Sequence, residues 1–142
     1  MDVREMYRLA EKKNIPVVTY PLPYNGSLSL TDEAGNCVIG IDEAVRDGDV
    51  LERVHLAHEL SHCMTGSFYN VHTPLNRRQR HEYRADKWAI RSLIPVEALD
   101  DAVAQGCTEL WALAEHFGVT EQFMKKAICF YVHGNVSSEL YF

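Results

Sequence analysis

The chain has 142 residues, 46% of them hydrophobic and 24% charged, with a net charge of −6. That length and balance suit one soluble domain with a core of its own. No apolar run approaches the roughly 20 residues that span a bilayer, and the first residues, Met-Asp-Val-Arg-Glu-Met, contain no signal-peptide core, so a cytoplasmic protein with no membrane contact is expected. The acidic balance argues against non-specific nucleic-acid binding as the main task. Cys37, Cys63, Cys107 and Cys129 are widely scattered. In a reducing compartment they are read as free thiols acting as small buried hydrophobes, not as a disulfide or a second metal site.

Asp2 to Lys13 has helical periodicity, with Val3, Met6, Tyr7 and Ala10 on one face, a cap-like Asp2 and Glu5, and a stop at Asn14 and Pro16. Val17 to Tyr20 is a short β-branched strand closed by Pro21 and Pro23. Ser27–Thr31 and Cys37–Ile41 read as a hairpin around the five-residue loop Asp32-Glu33-Ala34-Gly35-Asn36. Asp42 to Gly48 is a connector. Asp49 to Gly66 follows as a helix, with Asp49 as N-cap, Glu52 in a capping-box position and Gly66 as the stop. On its wheel Val50, Val54, Ala57, Leu60, Ser61 and Met64 form an apolar side, and His55, His58 and His62 lie along its edge.

This helix carries His58-Glu59-Leu60-Ser61-His62, a His-Glu-x-x-His motif. Two histidines four apart share a helix face and can bind one metal ion, while the Glu beside them reaches a water on that ion. Composition alone gives about 0.03 such matches per chain of this kind, so the motif needs its context. His55, one turn before His58, is a weaker ligand candidate because no Glu flanks that pair in the same spacing.

Ser67 to Arg80 lacks a period and reads as a loop near the cleft, with Arg77, Arg78 and Arg80 as a solvated basic cluster. Helical periodicity returns from about Arg78 to Leu93 and ends at Ile94-Pro95. Glu82, Asp86, Ala89 and Leu93 share one side; Arg84, Lys87 and Arg91 share the other. Carboxylates on a side meant for burial are costly unless they are paired or hold a metal. Glu82 is therefore the candidate third ligand, and Asp86, one turn on, is the candidate partner for the second ring nitrogen of a liganding histidine, His58. His81 sits about 100° round the helix from Glu82 and should point away. A segment from Pro95 to about Gln105 is followed by two helices, Thr108–Phe117 and Thr120–Val132, around Gly118, with Thr108 and Thr120 as N-caps. The pair has a helix-turn-helix look within the single domain 1–142, but Glu109, Glu115 and Glu121 oppose Lys125 and Lys126, so a structural or docking role is preferred to direct DNA binding. Gly134 to Phe142 shows no pattern.

Taken together, Val54-His55-Leu56-Ala57-His58-Glu59-Leu60-Ser61-His62 and Glu82-Tyr83-Arg84-Ala85-Asp86-Lys87-Trp88-Ala89-Ile90-Arg91-Ser92-Leu93-Ile94-Pro95 make the chain resemble the ImmA/IrrE family of zinc metallopeptidases, from about Ile15 to Tyr131. Ser61 replaces a usual Gly, and Arg84 stands where a second acidic residue is frequent, leaving Glu82 alone at the ligand position. The resemblance implies an α+β, zincin-like fold: a small mixed β-sheet packed on the motif helix and the Glu-bearing helix, with C-terminal helices. It implies Zn2+ on His58, His62 and Glu82, Glu59 as catalytic base, and cleavage of a partner protein, a helix-turn-helix transcriptional repressor of a phage or mobile element. Tyr69 and His72 are candidates for stabilising the oxyanion or touching substrate. The competing reading is a catalytically silent zinc-binding regulator that acts by binding protein or DNA.

Overall fold

A computed structural model describes residues 1–46, 48–70 and 72–134. Residues 135–142, patternless in sequence, lie outside the described residues. In chain order the elements are α1 (Val3–Lys12), β1 (Val17–Thr19), β2 (Ser27–Thr31), β3 (Cys37–Ile41), α2 (Glu43–Arg46), α3 (Asp49–Thr65), α4 (Leu75–Leu93), α5 (Val96–Ala104), α6 (Leu110–Phe117) and α7 (Glu121–His133). The architecture is the expected α+β, zincin-like one. The three strands form a mixed sheet in the order β1-β3-β2, with β1 parallel and β2 antiparallel to β3. β2 is thus an edge strand, and its register sets Ser27 opposite Ile41 and Ser29 opposite Ile39. The hairpin loop is held by Asp32, whose carboxylate accepts from the backbone N–H of Ala34 and Asn36 and from the Asn36 side chain.

α3 is the central element. It packs against α1, β2, β3 and α4. Leu56, Ala57 and Leu60 are fully buried there with Met6, Ile39, Ile41 and Ile90, and the same apolar cluster continues into Leu113, Phe117, Phe123 and Met124 of the last two helices. Tyr7 of α1 donates to Glu52 of α3 at 2.7 Å, and Arg46 lies over the Tyr7 ring. Burial, then the hydrogen bond to Glu52, pushes the Tyr7 phenol up from 10.0 to about 12. Arg53 of α3 donates to the carbonyls of Phe117 and Gly118, tying the motif helix to the α6–α7 turn. Gly118 adopts φ +65, and a Cβ there would lie 3.0 Å from the Arg53 guanidinium.

Several local expectations change. Glu43–Arg46 is a helical turn inside the expected connector. The N-cap of α3 is Gly48, with no side-chain cap, and Asp49 is instead the first helical residue, where its charge faces the helix dipole. Val50 is 38% exposed whereas Leu56, left off the predicted apolar side, is fully buried, because α3 is covered on more than one side. α4 starts at Leu75, not near Arg78, after Pro74. Its first turns carry almost no apolar residue and Leu75 is 63% exposed, so no periodicity marks them. Glu109 takes the N-cap position expected for Thr108, whereas Thr120 caps α7 by accepting from Phe123 N–H.

The largest correction concerns the cysteines. Cys37 of β3 and Cys63 of α3 form a disulfide across a sequence separation of 26, with Cα atoms 5.9 Å apart. Packing of α3 on the sheet brings them together, which spacing alone does not reveal. Cys107 and Cys129 are free. Cysteine usage therefore no longer argues for a reducing compartment. Among the described residues, no helix is long and apolar enough to cross a membrane.

Candidate metal centre

One turn of α3 separates His58 from His62, and their rings meet edge-on with centroids 4.8 Å apart. Their Nε2 atoms are 3.3 Å apart. Across the helix interface, α4 brings Glu82 to them: Oε1 lies 3.5 Å from His62 Nε2 and Oε2 lies 3.9 Å from His58 Nε2. One donor atom from each of the three residues falls within 4.8 Å of the others. A tetrahedral ion with bonds of about 2.0–2.1 Å holds its donors about 3.3 Å from one another. The histidine pair already has that spacing, whereas Glu82 approaches His62 through Oε1 and His58 through Oε2, so its carboxylate must move in for one oxygen to share an ion with both rings. The donor set, two imidazoles and one carboxylate, suits zinc. His58 and Glu82 are each about one-third exposed, so the group opens to a cleft, while His62 is 8% exposed.

The surrounding contacts orient these donors. His62 Nδ1 donates to the carbonyl of Ser67, which leaves Nε2 bare toward His58 and Glu82. That carbonyl is presented by the end of α3: Gly66 adopts φ +66, and Ser67 N–H returns to His62 O at 3.1 Å. Asp86, 5% exposed, has Oδ1 4.0 Å from His58 Nδ1 and 3.6 Å from Lys126 Nζ. The first separation is longer than a hydrogen bond, although the carboxylate faces the expected ring nitrogen. Burial raises the Asp86 pKa, opposed by the charge of Lys126 and then of His58.

Glu59, 6% exposed, sits beside the three donors. Its two oxygens accept from β2: Ser27 Oγ donates to Oε2 at 2.7 Å and Ser29 Oγ to Oε1 at 2.8 Å. Ser27 Oγ is also 2.7 Å from His55 Nδ1. His55 is therefore a neighbour of Glu59 and does not join the metal-ligand group. Burial holds its pKa below the usual histidine value, against the pull of Glu59.

Tyr69 reaches the centre, donating to Glu82 Oε1 at 2.7 Å. Burial and then that hydrogen bond push its phenol up to about 12. His72 does not reach it: the residue is exposed, its backbone N–H donates to Asn70, and it lines neither cleft. His81 is not one of the three grouped donors; its ring stacks on Tyr69 with centroids 6.3 Å apart.

Two clefts adjoin the site and share Ser27, His58, Glu59 and Tyr69. The smaller, about 200 Å³, runs along Leu28 and Ser29 of the edge strand to His62 and Glu82. The larger, about 500 Å³, runs toward Thr120, Gln122, Phe123 and Lys126. The start of α7, which a helix-turn-helix would lay against DNA, thus lines the cleft. Sequence reasoning missed Ser27, Ser29, the Ser67 carbonyl and Lys126. The available hint was Glu59 itself, a charged residue on a helix that packs on the sheet. It reverses the usual strand pattern, so Ser27 is buried and Leu30 is 58% exposed.

Residues 10–128, most of the chain, match a peptidase M78 family model described as the IrrE N-terminal-like domain. No curated protein and no solved structure matches the chain.

Proposed function

The chain belongs to the peptidase M78 family as an IrrE N-terminal-like domain, and from that premise we propose that it is a zinc-dependent endopeptidase. Its substrate in this reading is one specific protein, a helix-turn-helix transcriptional repressor of a phage or mobile element, met in the cytoplasm. The observation that carries the reading is the convergence of His58, His62 and Glu82 beside Glu59. The whole chain would work as one domain, since a single apolar cluster links the sheet, α3 and the last two helices.

His58, His62 and Glu82 would hold the ion, with Asp86 steadying His58 and Ser67 steadying His62. When bound, zinc supplies Lewis acidity, which makes water a nucleophile near neutral pH and polarises the scissile carbonyl. Glu59 takes the proton of the attacking water as oxygen adds to the carbonyl carbon. It then delivers that proton to the departing amine nitrogen as the C–N bond breaks. Tyr69, at the cleft wall, is the donor assigned to the developing oxyanion; to serve, its hydroxyl swings from Glu82 to the substrate oxygen. The substrate backbone pairs as an extended strand with the free edge of β2.

The test joins metal content with cleavage of a purified helix-turn-helix repressor, chosen from any such gene found next to the one for this chain. Wild type should carry about one zinc per chain and cut the repressor. Glu59→Gln should keep the zinc and lose about 10²- to 10⁴-fold in turnover. Inactivation of the repressor by Glu59→Gln at wild-type level would replace the peptidase with a zinc-bound regulator that acts by binding.

A further inference from the structure

Glu59 is held from the sheet side. Ser27 and Ser29 are two apart on β2, so their side chains leave the same face of the strand, toward α3. Each gives its hydroxyl proton to a different oxygen of Glu59, at 2.7 and 2.8 Å. A glutamate side chain has three rotatable bonds, and a donor on each oxygen restrains both its position and the plane of its carboxylate. Each carboxylate oxygen accepts about two hydrogen bonds, so one acceptor site per oxygen remains for the clefts that Glu59 lines.

The direction of the Ser27 proton is itself determined. A hydroxyl has one hydrogen, and an ionised carboxylate has none to offer. Ser27 Oγ must therefore donate to Glu59 and accept from His55, 2.7 Å away. His55 then carries its hydrogen on Nδ1 and leaves Nε2 bare. Gly26 closes over the ring: a Cβ at that position would lie 2.9 Å from His55 Cε1 and 3.3 Å from its Nε2. Glycine at 26, with φ +80, thus leaves room for the imidazole in this orientation.

We propose that Ser27 and Ser29 are positioning residues for Glu59, and that His55, through its Nδ1 hydrogen, keeps Ser27 pointed at that carboxylate. The inference rests on the peptidase reading for the task of Glu59, while the chain His55–Ser27–Glu59 is a separate physical claim. Its consequence is that β2 both offers an edge to substrate and aims the base at it. Sliding of β2 on α3 would then misalign substrate and base together.

Two measurements on zinc-loaded protein test it. In ¹⁵N-histidine-labelled wild type, long-range ¹H–¹⁵N correlation should show His55 with a protonated Nδ1 and a bare Nε2. Ser27→Ala should shift His55 toward the Nε2–H tautomer that free imidazole side chains favour, and Ser27→Thr should restore the wild-type pattern. Acetohydroxamate, a zinc ligand whose proton must be received by the base, should bind the Ser27→Ala/Ser29→Ala protein about 10- to 100-fold more weakly, with zinc content unchanged. An Nε2–H tautomer in wild type, a tautomer indifferent to Ser27→Ala, or wild-type acetohydroxamate affinity in the double variant would each overturn the proposal. Wild-type protein that takes up no zinc while His55 still follows Ser27 would sink the peptidase reading and leave the hydrogen-bonded chain standing.

Discussion

Replacing Glu82 by alanine removes the one candidate ligand that α4 contributes. Zinc sites with four protein ligands bind with about 10–16 kcal/mol, or about 2.5–4 kcal/mol per ligand, which corresponds to roughly 10²- to 10³-fold in Kd. Glu82 is one-third exposed and stands 3.5 and 3.9 Å from the histidine nitrogens, against 3.3 Å between the histidines themselves. The lower end, about 100-fold, is therefore expected. Competition for zinc against a chromophoric chelator measures it, with His62→Ala as the comparison. The metal-free protein gives a second signature. Burial is the larger cause of the raised Tyr69 pKa and the hydrogen bond to Glu82 the next, so Glu82→Ala should bring the Tyr69 phenol part of the way down from about 12 toward 10.0 in an ultraviolet titration. Unchanged zinc affinity in Glu82→Ala would refute the three-donor site. His81, whose buried Nδ1 has no hydrogen-bond partner among the described residues, would then return as a ligand candidate, together with His55.

Asp86→Asn removes the carboxylate charge 4.0 Å from His58 Nδ1 and should weaken zinc by about 10-fold, the lower end for a partner of a liganding histidine. In the metal-free protein the raised Asp86 pKa means that the fold favours the protonated acid: its contribution is fully present below the ordinary value of 3.8 and is lost as pH rises through the raised value. Denaturant unfolding of metal-free protein should therefore show wild type gaining on Asp86→Asn as pH falls toward 4; the opposite slope would contradict the burial argument. Breaking the Cys37–Cys63 bond, by reduction or by Cys63→Ser, opens a loop with a sequence separation of 26 and should cost about 3–4 kcal/mol by chain entropy. That corresponds to a fall in Tm of about 10 °C, readable by calorimetry, and an unchanged Tm would show that the bond adds no stability. Tyr7, raised from 10.0 to about 12, contributes stability that is present below pH 10 and lost as pH rises through about 12. The stability difference between wild type and Tyr7→Phe should close over that window, and a difference constant with pH would mean that Tyr7 titrates normally.

Local order was largely legible from the residues. The caps at Asp2 and Thr120, the left-handed stop at Gly66 and the hairpin around Asp32–Asn36 all occur where their chemistry points. So does the one-turn spacing of His58 and His62, because helix and strand repeats are properties of a few consecutive residues. Periodicity also placed Glu82 and Asp86 on one side of α4, since a buried carboxylate demands a partner. It failed for the first turns of α4, which face solvent and bury no apolar stripe. Which groups meet across elements was decided only by packing. The rotation of α3 against the sheet joined Cys37 to Cys63 and turned Ser27 and Ser29 onto Glu59. The docking of α7 brought Lys126 to Asp86. Those contacts connect residues 26 to 40 positions apart, and their formation depends on how whole faces fit together, which no repeat in the sequence encodes.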